Sequence, residues 1–218
     1  MGASYLLADH LYVSPTPGGA FYAVATPGED PPRRLIRALL AQSVTPRLGR
    51  EALSLWMGLN EPEQALALLN HIQDAHWLQG FEAPRTCPSG SLEALLPGLL
   101  QALSSQGKAL LADNQGFYLA TSGFPHETAE ELSALSAELA SLHERRTGLL
   151  LNNMGLNSSA WAVVDASGGS RLGFWPLYIG AQRFVLVIAG LPRFNQPDFL
   201  SLVWALSQRY GDEQSHVS

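Results

Sequence analysis

The sequence predicts an α/β chain of the α+β kind: a small, mostly helical module followed by a larger domain in the order α-β-β-α-β-β-β-α. Three observations carry that prediction. A Pro- and Gly-containing stretch without periodicity, residues 82–91, interrupts the chain. A polar Gly-containing turn, Asn114-Gln-Gly116, separates two short apolar runs. A long amphipathic segment from Thr128 to Arg146 precedes three strand-like runs. The expected boundaries are 1–85 for the front module and 90–212 for the domain behind it.

The front module opens with two apolar runs, Tyr5 to Val13 and Ala20 to Thr26, with a turn at Pro15–Gly19 between them. Three helices follow. Asp30 is placed to cap the first, with Pro31 and Pro32 in its opening turn, where a missing N–H costs little. Leu35, Ile36, Leu39 and Leu40 form its apolar face. The second begins after Thr45-Pro46 and carries Leu48, Ala52, Leu55 and Trp56. The third spans about Glu61 to His76, with Ala65, Leu68, Leu69 and Ile72 on one side. Trp77 to Phe81 reads as a short strand. This element order resembles a winged helix.

Behind the break, a leucine-rich helix from Ser91 to about Gln106 contains Pro97-Gly98, a point where it can kink. Lys108 to Asp113 and Phe117 to Thr121 form a hairpin. The long helix has acids near its start, where the helix dipole favours them. Its apolar seam is Leu132, Leu135, Leu139 and Leu142, spaced three and four apart, and Gly148 is placed to stop it. The strands are Trp161–Asp165, Arg171–Ile179 and Phe184–Ala189, with Ser167-Gly-Gly-Ser170 as a hairpin turn. The last strand is apolar on both faces, which requires cover on both sides. Gln196-Pro197-Asp198 begins the final helix, and the polar tail from Gly211 to Ser218 is expected to fray.

The hairpin with Asp113, Gly116 and Ser122-Gly123, followed by the long helix and three strands, resembles the roadblock (dynein light-chain) family over about residues 91–211. The resemblance implies a five-stranded antiparallel sheet flanked by helices. It also implies a homodimer in which the long helix and the strand after it meet their copies, here through Leu132, Leu135, Leu139, Leu142, Trp161 and Val163. Several family members, among them a bacterial gliding-motility regulator, bind or regulate Ras-like small GTPases. The resemblance therefore implies a non-enzymatic scaffold or GTPase regulator, and the composition and mild acidic charge add the expectation of a bacterial, cytoplasmic protein.

Composition narrows the alternatives. The 218 residues are 46% hydrophobic and only 15% charged, against an average of about 25% charged, so much of the surface is expected to be covered by a partner or by a second copy. The net charge of −6 offers no general attraction to nucleic acid. Arg33, Arg34 and Arg37 form a local basic group and are the candidate nucleic-acid contacts for a DNA-binding regulator dimerised by its rear domain. Yet residues 1–88 hold six Arg and no Lys against eight Asp and Glu, which is not the basic stripe of a DNA reader. A small-molecule sensor is the other alternative, with Trp161, Phe174, Trp175 and Tyr178 as possible pocket aromatics. At least one of Trp161 and Trp175 is expected at an interface. One cysteine, Cys87, allows no internal disulfide, and no cofactor, metal or catalytic motif is evident. No signal peptide or membrane span is expected.

Overall fold

The computed structural model describes residues 6–156 and 158–211. The start of the first apolar run, at Tyr5, and the expected frayed tail beyond Gly211 lie outside the described residues. Strand β1 (Tyr12–Pro15) is followed by helices α1 (Pro17–Val24), α2 (Pro31–Leu40), α3 (Arg50–Met57) and α4 (Pro62–Asp74), then β2 (Leu78–Phe81). Helix α5 (Leu92–Ala102), the hairpin β3 (Ala109–Ala112) and β4 (Tyr118–Ser122), and the long helix α6 (His126–Thr147) come next. A π-helical turn (Gly148–Asn153) leads to β5 (Trp161–Val164), β6 (Ser170–Ile179), β7 (Gln182–Ala189) and α7 (Pro197–Tyr210). The rear sheet is five-stranded and antiparallel, in the order β4-β3-β7-β6-β5.

Two expectations for the front module change. Ala20 to Thr26 is not an extended run: most of it belongs to α1, which Thr16 caps by accepting from the Gly19 N–H at 3.1 Å. A Cβ at Gly19 would stand 2.1 Å from the Trp77 carbonyl oxygen. Glycine there lets α1 press directly onto the backbone entering β2, a tertiary demand that local pattern does not reveal. Leu48 is buried but precedes α3, and Leu55 faces solvent at 76% exposure. Elsewhere the local chemistry is as expected. Asp30 Oδ1 accepts from the Arg33 backbone N–H at 2.9 Å and caps α2. β2 pairs with β1, so the two ends of the front module meet.

The core beginning at Ala20 in α1 continues without a break through Leu40, Ile72, Leu96 and Leu111 to Leu206 in α7. Helices α5 and α7 cover one face of the rear sheet, and α1 and α2 pack against the outer side of α7. Residues 82–91 are tied back to the front module: Cys87 N–H donates to the Ser43 carbonyl at 2.9 Å and Arg85 N–H to Thr45 Oγ1 at 2.9 Å. Helix α5 runs through Pro97. Strand β7, at the centre of the sheet, is buried from Phe184 to Ala189, as its two-sided apolarity requires.

Candidate interaction face

Among the described residues, α6 covers the other face of the sheet. Its fully buried residues are not the leucines of the predicted seam but Ala129, Ser133, Ser136 and Ala140. They lie over a second apolar cluster that includes Leu110, Ala112, Phe174, Val185 and Val187. Small side chains bring the helix close to the strands. Both serines satisfy their hydroxyls on their own helix: Ser133 Oγ donates to the Ala129 carbonyl at 2.7 Å and Ser136 Oγ to the Ser133 carbonyl at 2.8 Å. The β3–β4 turn tucks against the same helix. Gly116 has φ +89° and a Cβ there would meet Ala134 Cα at 3.3 Å. Asp113 Oδ1 holds the turn by accepting from the N–H groups of Gln115 and Phe117.

With the inner stripe filled by small residues, the leucine seam is turned toward the flank and outward. Leu132 and Leu139 are half-buried against the second cluster, Leu142 is half-buried, and Leu135 is 40% exposed. Leu135, Leu139 and Leu142 line a shallow concavity of about 520 Å³ on the outer side of the helix. Gly148 does not stop the helix. It keeps right-handed helical angles, φ −58° and ψ −41°, and the chain passes into the π-helical turn, where Leu149 and Leu151 stand 50% and 43% exposed.

Strand β5 is the edge of the sheet beside this helix. Val163 and Val164 are more than half exposed there, at 55% and 58%. Trp161 sits opposite Phe174, on the α6 face, and its indole N–H donates to Nδ1 of His143 at 3.3 Å. The Asp165–Gly169 turn closes the β5–β6 hairpin. Asp165 Oδ1 accepts from the Ser167 hydroxyl at 2.6 Å and from the Gly169 N–H at 2.9 Å, and these bonds hold its carboxyl below the usual range.

The four candidate pocket aromatics do not all share one face of the sheet. Trp175 follows Phe174 on β6 and therefore faces the other side of the sheet. There it packs edge-on against Phe194 at 5.1 Å and covers Gly173. Of the two tryptophans, only Trp161 stands beside the open edge.

Two of the three candidate nucleic-acid contacts are engaged inside the front module. The Arg33 side chain is buried, pairs with Asp30, donates to the Tyr22 carbonyl and lies over the Tyr22 ring. Arg37 pairs with Glu29 and donates to the carbonyls of Ala23 and Thr26, closing the end of α1. Only Arg34 is substantially exposed, and it lies 3.8 Å from Glu29. Among the described residues, no three His, Cys, Asp or Glu are placed to share a metal ion. None of the described helices is long and apolar enough to cross a membrane. Cys87 is half-buried, and burial pushes its thiol up to about 11.

The order α-β-β-α-β-β-β-α from α5 to α7, on one five-stranded antiparallel sheet with helices on both faces, is the arrangement the family resemblance implies. This part of the chain is built like a roadblock domain. Solved structures similar to the chain include a roadblock/LC7 domain from Streptomyces avermitilis, at 19% identity and a TM-score of 0.35, covering 55% of this chain and 93% of that one. MglB of Myxococcus xanthus is similar at 16% identity and a TM-score of 0.32, over 55% of this chain and 89% of that one. The gliding protein MglB of Thermus thermophilus is similar at 19% identity and a TM-score of 0.34, over 58% of this chain and 95% of that one. No family model matches the chain, and no curated protein matches it. The front segment lies mainly on the α5/α7 side and reaches only the C-terminal end of α6, through Ala25–Pro27, so among the described residues the outer side of α6 and the edge of β5 are left open.

Proposed function

We propose that this protein is a non-enzymatic regulatory scaffold that pairs with a second copy through α6 and β5 and, as a dimer, engages a Ras-like small GTPase. One observation carries the dimer: an outward leucine face on α6 stands beside an open strand edge with two exposed valines. An edge strand is a template for further pairing unless something blunts it. Here the exposed side chains are apolar, and β5 contains no charge and no proline. Burying a leucine side chain is worth about 1.5–3 kcal/mol, so a few such residues from each copy contribute substantially against the cost of association.

The GTPase role rests on the family resemblance. The mechanism is contact: a dimer that prefers one nucleotide state of its partner shifts the partner's population toward that state. The front segment packs against α7 and touches α6 only at its C-terminal end, which leaves the outer side of α6 for the second copy and the partner.

Light scattering on the purified chain tests the first step. A mass of two chains at micromolar concentration is expected, and a strict monomer at that concentration overturns it. The second step is tested by capturing partners from a native lysate with GDP and with a non-hydrolysable GTP analogue. Enrichment of a small GTPase in one state supports the reading. Recovery of none in either state, with the dimer intact, removes the GTPase and leaves the scaffold.

A further inference from the structure

We infer that the crevice between the α1–α2 connection and the C-terminal end of α6 is a binding site for a small neutral amphipathic molecule, with a ring or short hydrocarbon body and one hydroxyl or carbonyl group. The crevice has a volume of about 420 Å³ and is walled by Pro27, Leu151 and Leu156 together with His143, Glu144 and Tyr178. That size and that mixture, a mostly apolar wall with a few polar groups, are those of small-molecule sites. It is formed by parts distant in sequence: the front module supplies one wall, α6 and its π-helical turn the second, and β6 the third. π-helical turns inside helices occur often at functional sites.

The polar groups define the ligand. Trp161 donates to Nδ1 of His143, which places the ring's proton on Nε2 and makes that nitrogen a donor. Burial, reinforced by the charge of Glu144, raises the Tyr178 phenol, so it remains a hydroxyl at neutral pH. Glu144 is an acceptor whose charge is matched by Arg183, with Nη1 to Oε1 at 2.5 Å. Donors and an acceptor are therefore present while the one carboxylate is already paired, which suits an uncharged polar end. Pro27, Leu151 and Leu156 suit an apolar body. The site does not depend on the dimer or on a GTPase, but Trp161 connects it to β5, so occupancy is felt at the sheet edge.

The probe is 2-naphthol, titrated calorimetrically into the full-length protein, with the Trp161 indole N–H followed by NMR. Saturable binding of one probe per chain is expected, with a shift of the Trp161 signal. Leu151→Trp projects a larger side chain into the crevice from a half-exposed position and is expected to weaken binding by about tenfold or more. Tyr178→Phe, which keeps the ring and removes the hydroxyl, is expected to weaken it severalfold. Leu55→Trp, on the solvent side of α3, is expected to leave it unchanged. 2-Naphthoate and naphthylmethylammonium are expected to bind more weakly than the neutral probe. Absence of saturation up to the probe's solubility limit, affinity unaltered by both Leu151→Trp and Tyr178→Phe, or preference for a charged analogue would overturn the inference.

Discussion

The indole N–H of Trp204 in α7 donates to the carbonyl of Gln42 at 2.7 Å, joining the last helix to the chain just past the end of α2. Gln208, one turn on, donates through Nε2 to the Leu40 carbonyl at 2.8 Å. Together they cap the carbonyl end of α2 from a different part of the chain. Trp204→Phe keeps an aromatic ring, though a smaller one, and orphans the Gln42 carbonyl. Leaving such a group unpaired costs about 1–3 kcal/mol. A lower melting temperature is expected, with front-module amides near Gln42 exchanging faster; unchanged exchange there would show that the bond does not hold the two parts together.

The proposed dimer has a substitution test that spares the core. Leu135 and Val163 already face solvent, at 40% and 55%, so Leu135→Asp and Val163→Arg are expected to preserve the circular dichroism spectrum. Sedimentation equilibrium is expected to show association weakened by tenfold or more for the pair, about 1.4 kcal/mol or more. A dimer of undiminished affinity carrying both changes would place the interface elsewhere.

Asp30 organises three groups at once: it caps α2, accepts from the Tyr22 hydroxyl at 2.9 Å and pairs with Arg33. Asp30→Ala is expected to cost more than an ordinary cap, which is worth about 1 kcal/mol, because Arg33 is buried and loses its counter-charge. Chemical denaturation would read this as a lower midpoint at unchanged slope. The same geometry means that Arg33→Glu or Arg37→Glu is expected to destabilise the front module. Arg34→Glu, by contrast, is expected to fold normally.

Alkaline pH should weaken the fold. Burial raises the phenols of Tyr22 and Tyr178 above their ordinary value of 10.0, and burial raises the Cys87 thiol from 9.0 to about 11. Each group in the folded state holds its proton more tightly than in the unfolded chain. The stability this contributes is complete below the unfolded values and is lost as pH rises through the folded ones. Urea unfolding free energy is expected to fall from about pH 9 upward, with Tyr22→Phe and Tyr178→Phe each flattening the decline above about pH 10. The same shift predicts slow alkylation of native Cys87 by iodoacetamide at about pH 8, and fast alkylation after denaturation.

Gly116 joins a left-handed φ of +89° to a close approach on α6. Gly116→Ala is expected to cost about 1–2 kcal/mol in backbone strain alone and to lower the melting temperature by several degrees; an unchanged value would mean that the turn relaxes freely.

Local chemistry made much of this fold legible. Asp30 with two following prolines marks a helix start, Asp113 and Gly116 mark a hairpin, and the two-sided apolarity of Phe184 to Ala189 marks a central strand. What the sequence could not display depends on distant contacts. Gly19 reads as part of a turn until the Trp77 carbonyl is seen against it. The leucines of α6 look like a core-facing stripe, yet they flank the fully buried one, because Ala129, Ser133, Ser136 and Ala140 sit one position further round and allow a closer approach to the strands. Gly148 resembles a stop signal, but the chain continues to wind. His143 carried no motif, and only its bond to Trp161 and its place in the crevice give it a role. Arg33 and Arg37 looked like a surface charge group because their acceptors, backbone carbonyls in α1 and its following loop, have no signature in sequence.

Helix α7 also sets an order in time. It buries Phe199, Leu200, Leu202, Val203, Trp204, Ala205 and Leu206, and it touches α1, α2, α5 and β6. During synthesis the residues of α1 to α4 leave the ribosome well over a hundred positions ahead of it. The sides of α1 and α2 that α7 covers must therefore stay exposed or loosely collapsed until it emerges. A nascent chain in that interval is a natural client for a holding chaperone, and a frameshift or early stop within α7 would cost both halves of the molecule rather than one.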